Sequence, residues 1–302
     1  MLHNPAINRL AWTHQLSGDA CTGDRILTDQ VYDLVRQNAI PCARVTGKLV
    51  FPRQAIDRWI MSHLEGDQAE ANESLPVYAG SSDPLLAWAL NEAHTDLAQL
   101  CNGSADGVAR LLDGRAQLIG LHIINPQTGV FNDPSFCGLG GMRDLVIVHW
   151  AKRTQGLVLP AANPHGIEQL ADIAQPGLRI ANRPPGAGAR TLFTYLLERE
   201  GIDPNLLERD TLIAHDEDAV AIEISNGQAD VGLAIEAVAR RHNLAFRPLI
   251  TEPLDLAMKR RTFFQPAIQR LMSLSRSARF SDYAAALGGY NLQDGSAVQF
   301  NA

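Results

Sequence analysis

Three short segments of the chain combine small residues with hydroxyl groups, at points where an apolar, strand-like run gives way to a helical pattern. They are Gly80-Ser81-Ser82, Asn102-Gly103-Ser104 and the glycine-rich segment 186–191. The first turn of a helix presents unpaired backbone N–H groups and about half a positive charge. Small residues let a ligand approach those groups closely. The three segments therefore predict a binding site for a small anion.

Several side chains in these segments can donate to an anion. Ser81, Ser82, Ser104 and Thr191 carry hydroxyl groups, and Arg190 carries a full positive charge. Each segment taken alone is also compatible with a capped helix that binds nothing, and Ser104 fits the N-cap of the helix that follows it. Three such segments in one domain favour a ligand.

Other chemistries lack the residues they need. The segment 186–191 has no Gly-Lys-Ser/Thr of a nucleotide-binding loop, and Ser81 does not stand in a Gly-x-Ser-x-Gly nucleophile turn. His122, His149, His165 and His215 show no spacing typical of a helical metal site. We therefore predict a binding protein rather than an enzyme, with no metal and no cofactor.

Residues 75–302 alternate strand-like apolar runs with helical patterns, which predicts an α/β fold of mostly parallel sheets covered on both faces. Short strands are predicted at 118–123, 144–150, 156–160, 246–250 and 254–259. The segments 107–121 and 219–233 resemble each other, each with a helix, a Gly-x-Ala and an apolar strand ending in Gly-Leu. That repetition predicts two lobes built on one plan, with a cleft between them.

Length, composition and charge indicate a separate domain on the N-terminal side of residue 75. The 302 residues suggest about two domains, and the segment 67–74, with three acids and no large apolar residue, is typical of a linker. The net charge of −7 separates into +1 for 1–66 and −8 for 67–302. No apolar run could span a bilayer and no signal peptide is evident, so we expect a cytoplasmic protein with four unpaired cysteines.

The C-terminal region resembles a known family. The strings GSADGVARLLDGRAQLIGLHIINPQTGVFN, QGLVLPAANPHGI, IANRPPGAGAR and ADVGLAIEAVA are similar to the periplasmic-binding-protein-like domain of cytosolic bacterial regulators, also found fused to molybdenum-cofactor biosynthesis proteins. The resemblance covers 75–302. It implies a two-lobed type II fold, with lobe 1 at about 75–152 and 253–302 and lobe 2 at about 153–252.

The resemblance also implies a ligand, molybdate or tungstate. It adds His122, Asn132 and Asn182 as second candidates beside the serines, Arg190 and Thr191. Molybdate at neutral pH is fully deprotonated and needs donors only, whereas protonated phosphate also favours a carboxylate acceptor. Relatives often carry hydroxyl residues in the glycine-rich segment, but this chain has Ala187 and Ala189.

The N-terminal region resembles an excisionase-type winged helix-turn-helix over VYDLVRQNAIPCARVTGKLVFPRQAIDRWI. A helix is predicted over 29–38, with Val31, Leu34 and Val35 on one face, and a two-stranded wing over 43–45 and 49–51. In such folds the helix enters the major groove of DNA and the wing contacts the backbone or minor groove. The candidate DNA-binding residues are Gln30, Arg36, Gln37, Arg44, Lys48 and Arg53.

Two features of this head depart from that family. Asp29 and Asp33 place acids where relatives often have basic residues, and an acid there repels phosphate. The first helix of the motif is also displaced, because 17–24 has the composition of a loop. Either 8–16 supplies that helix through a longer turn, or the motif is degraded.

The sequence thus predicts an α/β protein with a two-lobed type II periplasmic-binding-protein-like domain (75–302) preceded by a small winged helix-turn-helix domain (1–66). The predicted function is a transcriptional regulator, acting as a homodimer, that senses molybdate or tungstate and alters its binding to double-stranded operator DNA. The alternative is an intracellular oxyanion-binding or molybdenum-cofactor-related protein that does not bind DNA.

Overall fold

A computed structural model describes residues 28–45, 48–52, 55, 56, 59, 75–208 and 211–302, and for 28–30, 45, 48, 208 and 211 it describes the backbone alone. The chain divides into two compact units, Met1–Glu73 and Ser74–Ala302. None of the helices in the described part of the chain is long and apolar enough to cross a membrane.

The described part of the N-terminal unit contains a helix and a hairpin. Helix α1 spans Thr28–Arg36, and strands β1 (Ala43–Val45) and β2 (Lys48–Val50) pair antiparallel. Val35, Ile40 and Ile56 form a small buried core. The predicted helix and hairpin are therefore present, within one or two residues of the expected boundaries, whereas the winged helix-turn-helix assignment itself stays a prediction.

Three of the candidate DNA-binding side chains lie in the described part of this unit. Arg36, Gln37 and Arg44 are exposed, and Arg36 forms an ion pair with Asp33 in which Nη1 and Oδ1 are 3.3 Å apart. Arg53 lies outside the described residues, as do the side chains of Gln30 and Lys48. The linker 67–74 and the segment 8–16 lie outside them too.

The C-terminal unit is organised around one ten-stranded sheet with the strand order β4-β3-β5-β10-β6-β9-β7-β8, and β11 and β12 also pair with β6. The strands are β3 (Val77–Gly80), β4 (Ala98–Leu100), β5 (Leu118–Leu121), β6 (Leu145–Leu159), β7 (Ile180–Asn182), β8 (Thr211–Ile213), β9 (Val231–Ile235), β10 (Ala245–Lys259), β11 (Tyr290–Asn291) and β12 (Val298–Asn301). Strands β3, β4 and β5 are parallel, as are β7, β8 and β9, while β6 and β10 run antiparallel to each other.

Helices cover both faces of this sheet and divide it into two lobes. Lobe 1 contains β3–β5 with helices α2 (Pro84–Glu92), α3 (Ser104–Leu112), α8 (Pro266–Leu274) and α9 (Ala278–Leu287). Lobe 2 contains β7–β9 with helices α4 (Gly188–Arg199), α5 (Glu217–Ser225) and α6 (Glu236–Arg241). A short helix α7 (Arg260–Phe263) and the 3₁₀ turns Leu170–Ala174 and Pro204–Glu208 complete the unit. The predicted two-lobed α/β fold is confirmed.

The sequence repeat corresponds to matching positions in the two lobes. In lobe 1, α3 leads into β5, which pairs with β10; in lobe 2, α5 leads into β9, which pairs with β6. The two similar segments therefore place their apolar strands against the two long strands.

The prediction of separate short strands along the two connections was wrong. Strands β6 and β10 each run for 15 residues and pair along their length, from lobe 1 into lobe 2. The polar residues Arg153, Gln155 and Glu252, which interrupt the apolar runs, are buried in the middle of these strands. They stay in the strands because the side chains of Arg153 and Gln155 donate hydrogen bonds to Glu252.

Candidate functional site

The lobe 1 side of the site is built on two serines. Ser81 follows β3 directly and Ser104 is the first residue of α3, and both are buried. Their Oγ atoms lie 2.7 Å apart, and the backbone N–H of His122 donates to the Oγ of Ser104 at 3.3 Å. In such a pair one hydroxyl donates to the other, so one hydroxyl hydrogen stays available to a ligand.

The role expected for Ser104 at the helix start was wrong. Gly103, with a φ of 94°, occupies the N-cap position of α3, and no side chain caps the helix. A positive φ is readily adopted by glycine, and it turns the chain so that Ser104 enters the first turn. Its hydroxyl is therefore directed to Ser81 rather than to the end of its own helix.

The lobe 2 side of the site is the start of α4, which consists of small residues. A β-carbon on Gly103 would lie 3.6 Å from the Cα of Ala187, so the N-termini of α3 and α4 come close together across the two lobes. No side chain caps α4 at Ala187. Its first N–H groups are therefore available for hydrogen bonds to a ligand.

His122 lies between the lobe 1 side and the lobe 2 side of the site, which are called its two walls below. A β-carbon on Gly188 would lie 2.7 Å from the carbonyl oxygen of His122 and 3.1 Å from its ring atoms Cε1 and Nε2. Only glycine leaves room for this contact. On its other side the ring Nδ1 lies 3.1 Å from Oε2 of Glu252.

A buried network of charges supports the lobe 1 wall. Arg153 on β6 binds Glu252, its cross-strand partner on β10, and also donates from Nη1 to Oδ2 of Asp83 at 3.2 Å. Asp83 caps α2 by accepting from the N–H of Leu86 at 2.7 Å. The network thus fixes the loop between Ser81 and α2 to both long strands.

The second half of the network reaches lobe 2. Gln155 donates from Nε2 to Glu252 at 3.1 Å and to Glu217, near the start of α5, at 2.9 Å. Burial alone would raise the pKa of Glu252, but the charges of His122 and Arg153 and hydrogen bonds from His122 and Gln155 lower it to about 2. Burial lowers the pKa of Arg153, and the charges of Glu252 and Asp83 outweigh this and raise it.

The structure brings together only some of the candidate residues. Ser81, Ser104 and His122 form one cluster, and Asn182 lies at the end of β7, where its side chain donates to the carbonyl of Leu207 at 3.3 Å. Ser82 is half-buried beside Ser81. Asn132 does not join them, because its amide binds Asp255 at 2.7 Å and the N–H of Ile123 at 2.8 Å.

The two candidates from α4 donate to backbone carbonyls near the start of that helix. Arg190 donates from Nη1 to the carbonyl of Arg183 at 3.2 Å, and Thr191 donates to the carbonyl of Ala187 at 3.5 Å. Both border a groove that also includes Tyr195 and Glu198.

Sequence reasoning missed Arg183, Arg153 and Glu252. Arg183 is buried after β7, and burial lowers its pKa while the charges of Glu217 and Asp216 raise it. Arg183 therefore lies close to the lobe 2 end of the buried network. The available signal was a charged residue inside an apolar run, as in Glu252 between predicted strands, since such residues are buried only when paired.

A known protein family matches most of the C-terminal unit. Residues 87–276 match the family model described as the PBP superfamily domain. The chain belongs to the PBP superfamily. This PBP-superfamily protein is also 24% identical over 279 residues to the uncharacterized protein YvgK of Bacillus subtilis, an alignment covering 86% of this chain and 88% of YvgK. The alignment is longer than the C-terminal unit, so it also includes part of the N-terminal unit.

Solved structures share the fold of this PBP-superfamily protein. The periplasmic molybdate-binding protein of Azotobacter vinelandii has a TM-score of 0.52 and 16% identity, and the match covers 72% of this chain and 99% of that one. A putative phosphate ABC transporter substrate-binding protein with bound phosphate from Clostridium perfringens has a TM-score of 0.51 and 12% identity, covering 70% and 97%. At these identities the likeness establishes the fold.

Proposed function

We propose that the C-terminal unit binds a small, fully deprotonated tetrahedral oxyanion, molybdate or tungstate, between the Ser81–Ser104 pair and the start of α4. One observation carries this proposal: the two buried hydroxyls, 2.7 Å apart, lie where helix N-termini from the two lobes approach each other. Hydroxyl and backbone N–H donors with two positive helix ends are the groups that bind a tetrahedral anion.

The carboxylates beside this site favour an anion without protons. Asp83 accepts from Leu86, Arg153 and the hydroxyl of Tyr290. Glu252 accepts from Arg153 and Gln155, and its other oxygen lies against His122. Both carboxylates are thus engaged, so neither is free to accept the proton that phosphate carries at neutral pH. The two fold relatives are named for molybdate and for phosphate, and the donor set favours the first.

Isothermal titration of the full chain with molybdate, tungstate, sulfate and phosphate tests the ligand. We expect heat with molybdate and tungstate and an affinity for both at least tenfold higher than for phosphate. Because sulfate is also fully deprotonated, its affinity relative to that of molybdate shows how far the site selects by size. No heat with any of the four, or tighter binding of phosphate, would overturn the oxyanion proposal.

We further propose that the N-terminal unit makes this a cytoplasmic, non-catalytic transcriptional regulator without a resident cofactor, acting as a homodimer on double-stranded DNA. Support comes from the helix and hairpin of that unit and from exposed Arg44 on the hairpin. Closure of the lobes on the anion would change the spacing of the two heads and so the affinity for paired half-sites.

The second candidate is an oxyanion-binding protein that does not contact DNA. The ion pair between Arg36 and Asp33 favours it, because the acid already neutralises an exposed cation on α1. A gel shift with the protein's own upstream DNA at two salt concentrations separates the two. Retention that weakens with salt supports the regulator, and no retention at low salt supports the binding protein.

A further inference from the structure

His122 places one edge of a titratable ring against the proposed oxyanion site. It follows β5 directly, it is only 5% exposed, and its backbone N–H donates to the Oγ of Ser104. The ring edge with Cε1 and Nε2 faces Gly188, the first residue of α4, because a β-carbon there would lie 3.1 Å from both atoms. The ring thus lies between the hydroxyl pair and the helix start that the proposed anion would contact.

Glu252 fixes a hydrogen on the other side of this ring. Its Oε2 lies 3.1 Å from Nδ1 of His122. Burial would raise the pKa of Glu252, but the charges of His122 and Arg153 lower it to about 2, so the group is a carboxylate at neutral pH. A carboxylate only accepts hydrogen bonds, so Nδ1 carries a hydrogen in both protonation states of the ring. In the neutral ring, Nε2 therefore carries a lone pair and no hydrogen.

The Nε2 atom of His122 can be reached by a ligand. Among the described residues it has no hydrogen-bond partner, and it is not one of the enclosed polar atoms, in contrast to Nε2 of His149. A fully deprotonated oxyanion offers acceptors only. A lone pair on Nε2 would face another acceptor, whereas a protonated Nε2 would donate a charge-assisted hydrogen bond. An anion at this edge therefore favours the imidazolium form of the ring.

The charges around the ring favour the same form. From α3 and α4, the uncharged residues Ser104 and Gly188 face it. From β10, β6, α5 and the two binding loops come buried groups linked through Glu252, namely the carboxylates of Asp83, Glu217 and Glu252 and the guanidinium groups of Arg153 and Arg183. The half-buried Asp216 adds another negative charge beside Arg183. Carboxylates thus outnumber cations, and a proton on His122 offsets a charge that would otherwise oppose an anion.

We propose that His122 binds the anion as an imidazolium, donating from Nε2 to an anion oxygen and from Nδ1 to Glu252, so that anion and proton are bound together. The inference rests on the oxyanion site proposed above and adds a proton-linked affinity to it. The proton comes from the solvent whenever the ring of the free protein is neutral. Because the bound anion stabilises the protonated ring, affinity is highest at low pH and falls as the pH rises through the range in which histidine titrates.

Calorimetric titration of the full chain with molybdate measures this proton directly. In buffers of different ionisation enthalpy near pH 7.5, the heat should depend on the buffer and correspond to uptake of about half a proton or more per anion. Between about pH 8.5 and about pH 6.5, the affinity of the wild-type chain should rise at least about fivefold.

His122→Gln keeps a neutral hydrogen-bond donor at this position but cannot take up a proton. At about pH 6.5 it should bind molybdate about tenfold more weakly than the wild type, with equal affinities at both pH values and heat that is independent of the buffer. His149→Gln is the matched control, because Nδ1 of His149 also lies against a carboxylate, 2.7 Å from Oδ1 of Asp255, while its Nε2 is enclosed. This variant should retain the proton uptake of the wild type.

The outcomes separate this inference from the oxyanion proposal. Cooperative thermal unfolding shows that each variant folds, and the wild-type measurements decide the inference without either variant. Molybdate binding with buffer-independent heat and equal affinities at the two pH values would overturn the inference and leave the oxyanion proposal standing. Undiminished proton uptake in His122→Gln would also overturn it. No binding of molybdate, tungstate, sulfate or phosphate would overturn the oxyanion proposal, and this inference with it.

Discussion

The two walls of the cleft are built differently. Lobe 1 contributes side-chain hydroxyls from Ser81 and Ser104, held by hydrogen bonds and by the buried network around Arg153. Lobe 2 contributes the backbone at the start of α4, where Ala187 and Gly188 offer no side-chain donor. For the proposed oxyanion site we therefore expect lobe 1 to set the strength and geometry of binding and lobe 2 to supply N–H groups and close the site. Four predictions test this difference.

The largest effect is expected for Arg153→Met, which removes the charge that joins Asp83 and Glu252 beneath the lobe 1 wall. Removing one partner of a buried ion pair leaves an uncompensated charge, and we expect the free energy of unfolding to fall by about 3–5 kcal/mol. Denaturant unfolding measures the loss. Arg247→Met, which breaks the exposed pair with Glu168 in lobe 2, is the matched control and should change stability little. An equal loss of stability in the two variants would contradict the proposed difference between the lobes.

Ser104→Ala should have the next largest effect, on ligand affinity. It removes a hydroxyl from the pair and leaves the N–H of His122 without its acceptor. A hydrogen bond to a charged ligand contributes about 1.5–3 kcal/mol, so molybdate binding should weaken more than tenfold by titration. Thr191→Ala in lobe 2, whose hydroxyl donates to its own helix, should leave the affinity within about twofold. A larger effect at Thr191 would reverse the comparison.

Gly188→Ala tests whether lobe 2 acts through its close approach. The added methyl group would meet the carbonyl of His122 at 2.7 Å, so the lobes must separate slightly. We expect molybdate affinity to fall by about 1 kcal/mol, or roughly fivefold. Gly141→Ala is the control, since nothing lies within 4 Å of its β-carbon position. An unchanged affinity in Gly188→Ala would mean that α4 does not close on the ligand.

The smallest effect is expected for Ala187→Ser, which gives lobe 2 the hydroxyl that it lacks. Serine is a favourable N-cap, so the variant should gain about 0.5–1 kcal/mol of stability in thermal unfolding. Its affinity for molybdate should rise slightly, because the hydroxyl can turn to the ligand. Ala189→Ser, two residues further along and inside the first turn of the helix, should give neither gain. A tighter site without added stability would show that the hydroxyl serves the ligand alone.

The sequence by itself determined the two lobes and the loops on which the proposed site is built. Alternating apolar strands and helical patterns define the elements, and small residues at strand ends mark the starts of α3 and α4. These are local signals, since strand periodicity and helix starts depend on neighbours within a few residues. Ser81 and Ser104 were identified in this way.

Only the tertiary structure decided which polar residues act together. Arg153 and Glu252, separated by 99 residues, interrupt apolar runs and read as loop, yet each is buried because the other is there. Asn132 belongs with His149 and Asp255, and Arg190 donates to the carbonyl of Arg183. A side chain's partner across two strands depends on register and on the bulge beside Asp255, which no local pattern specifies.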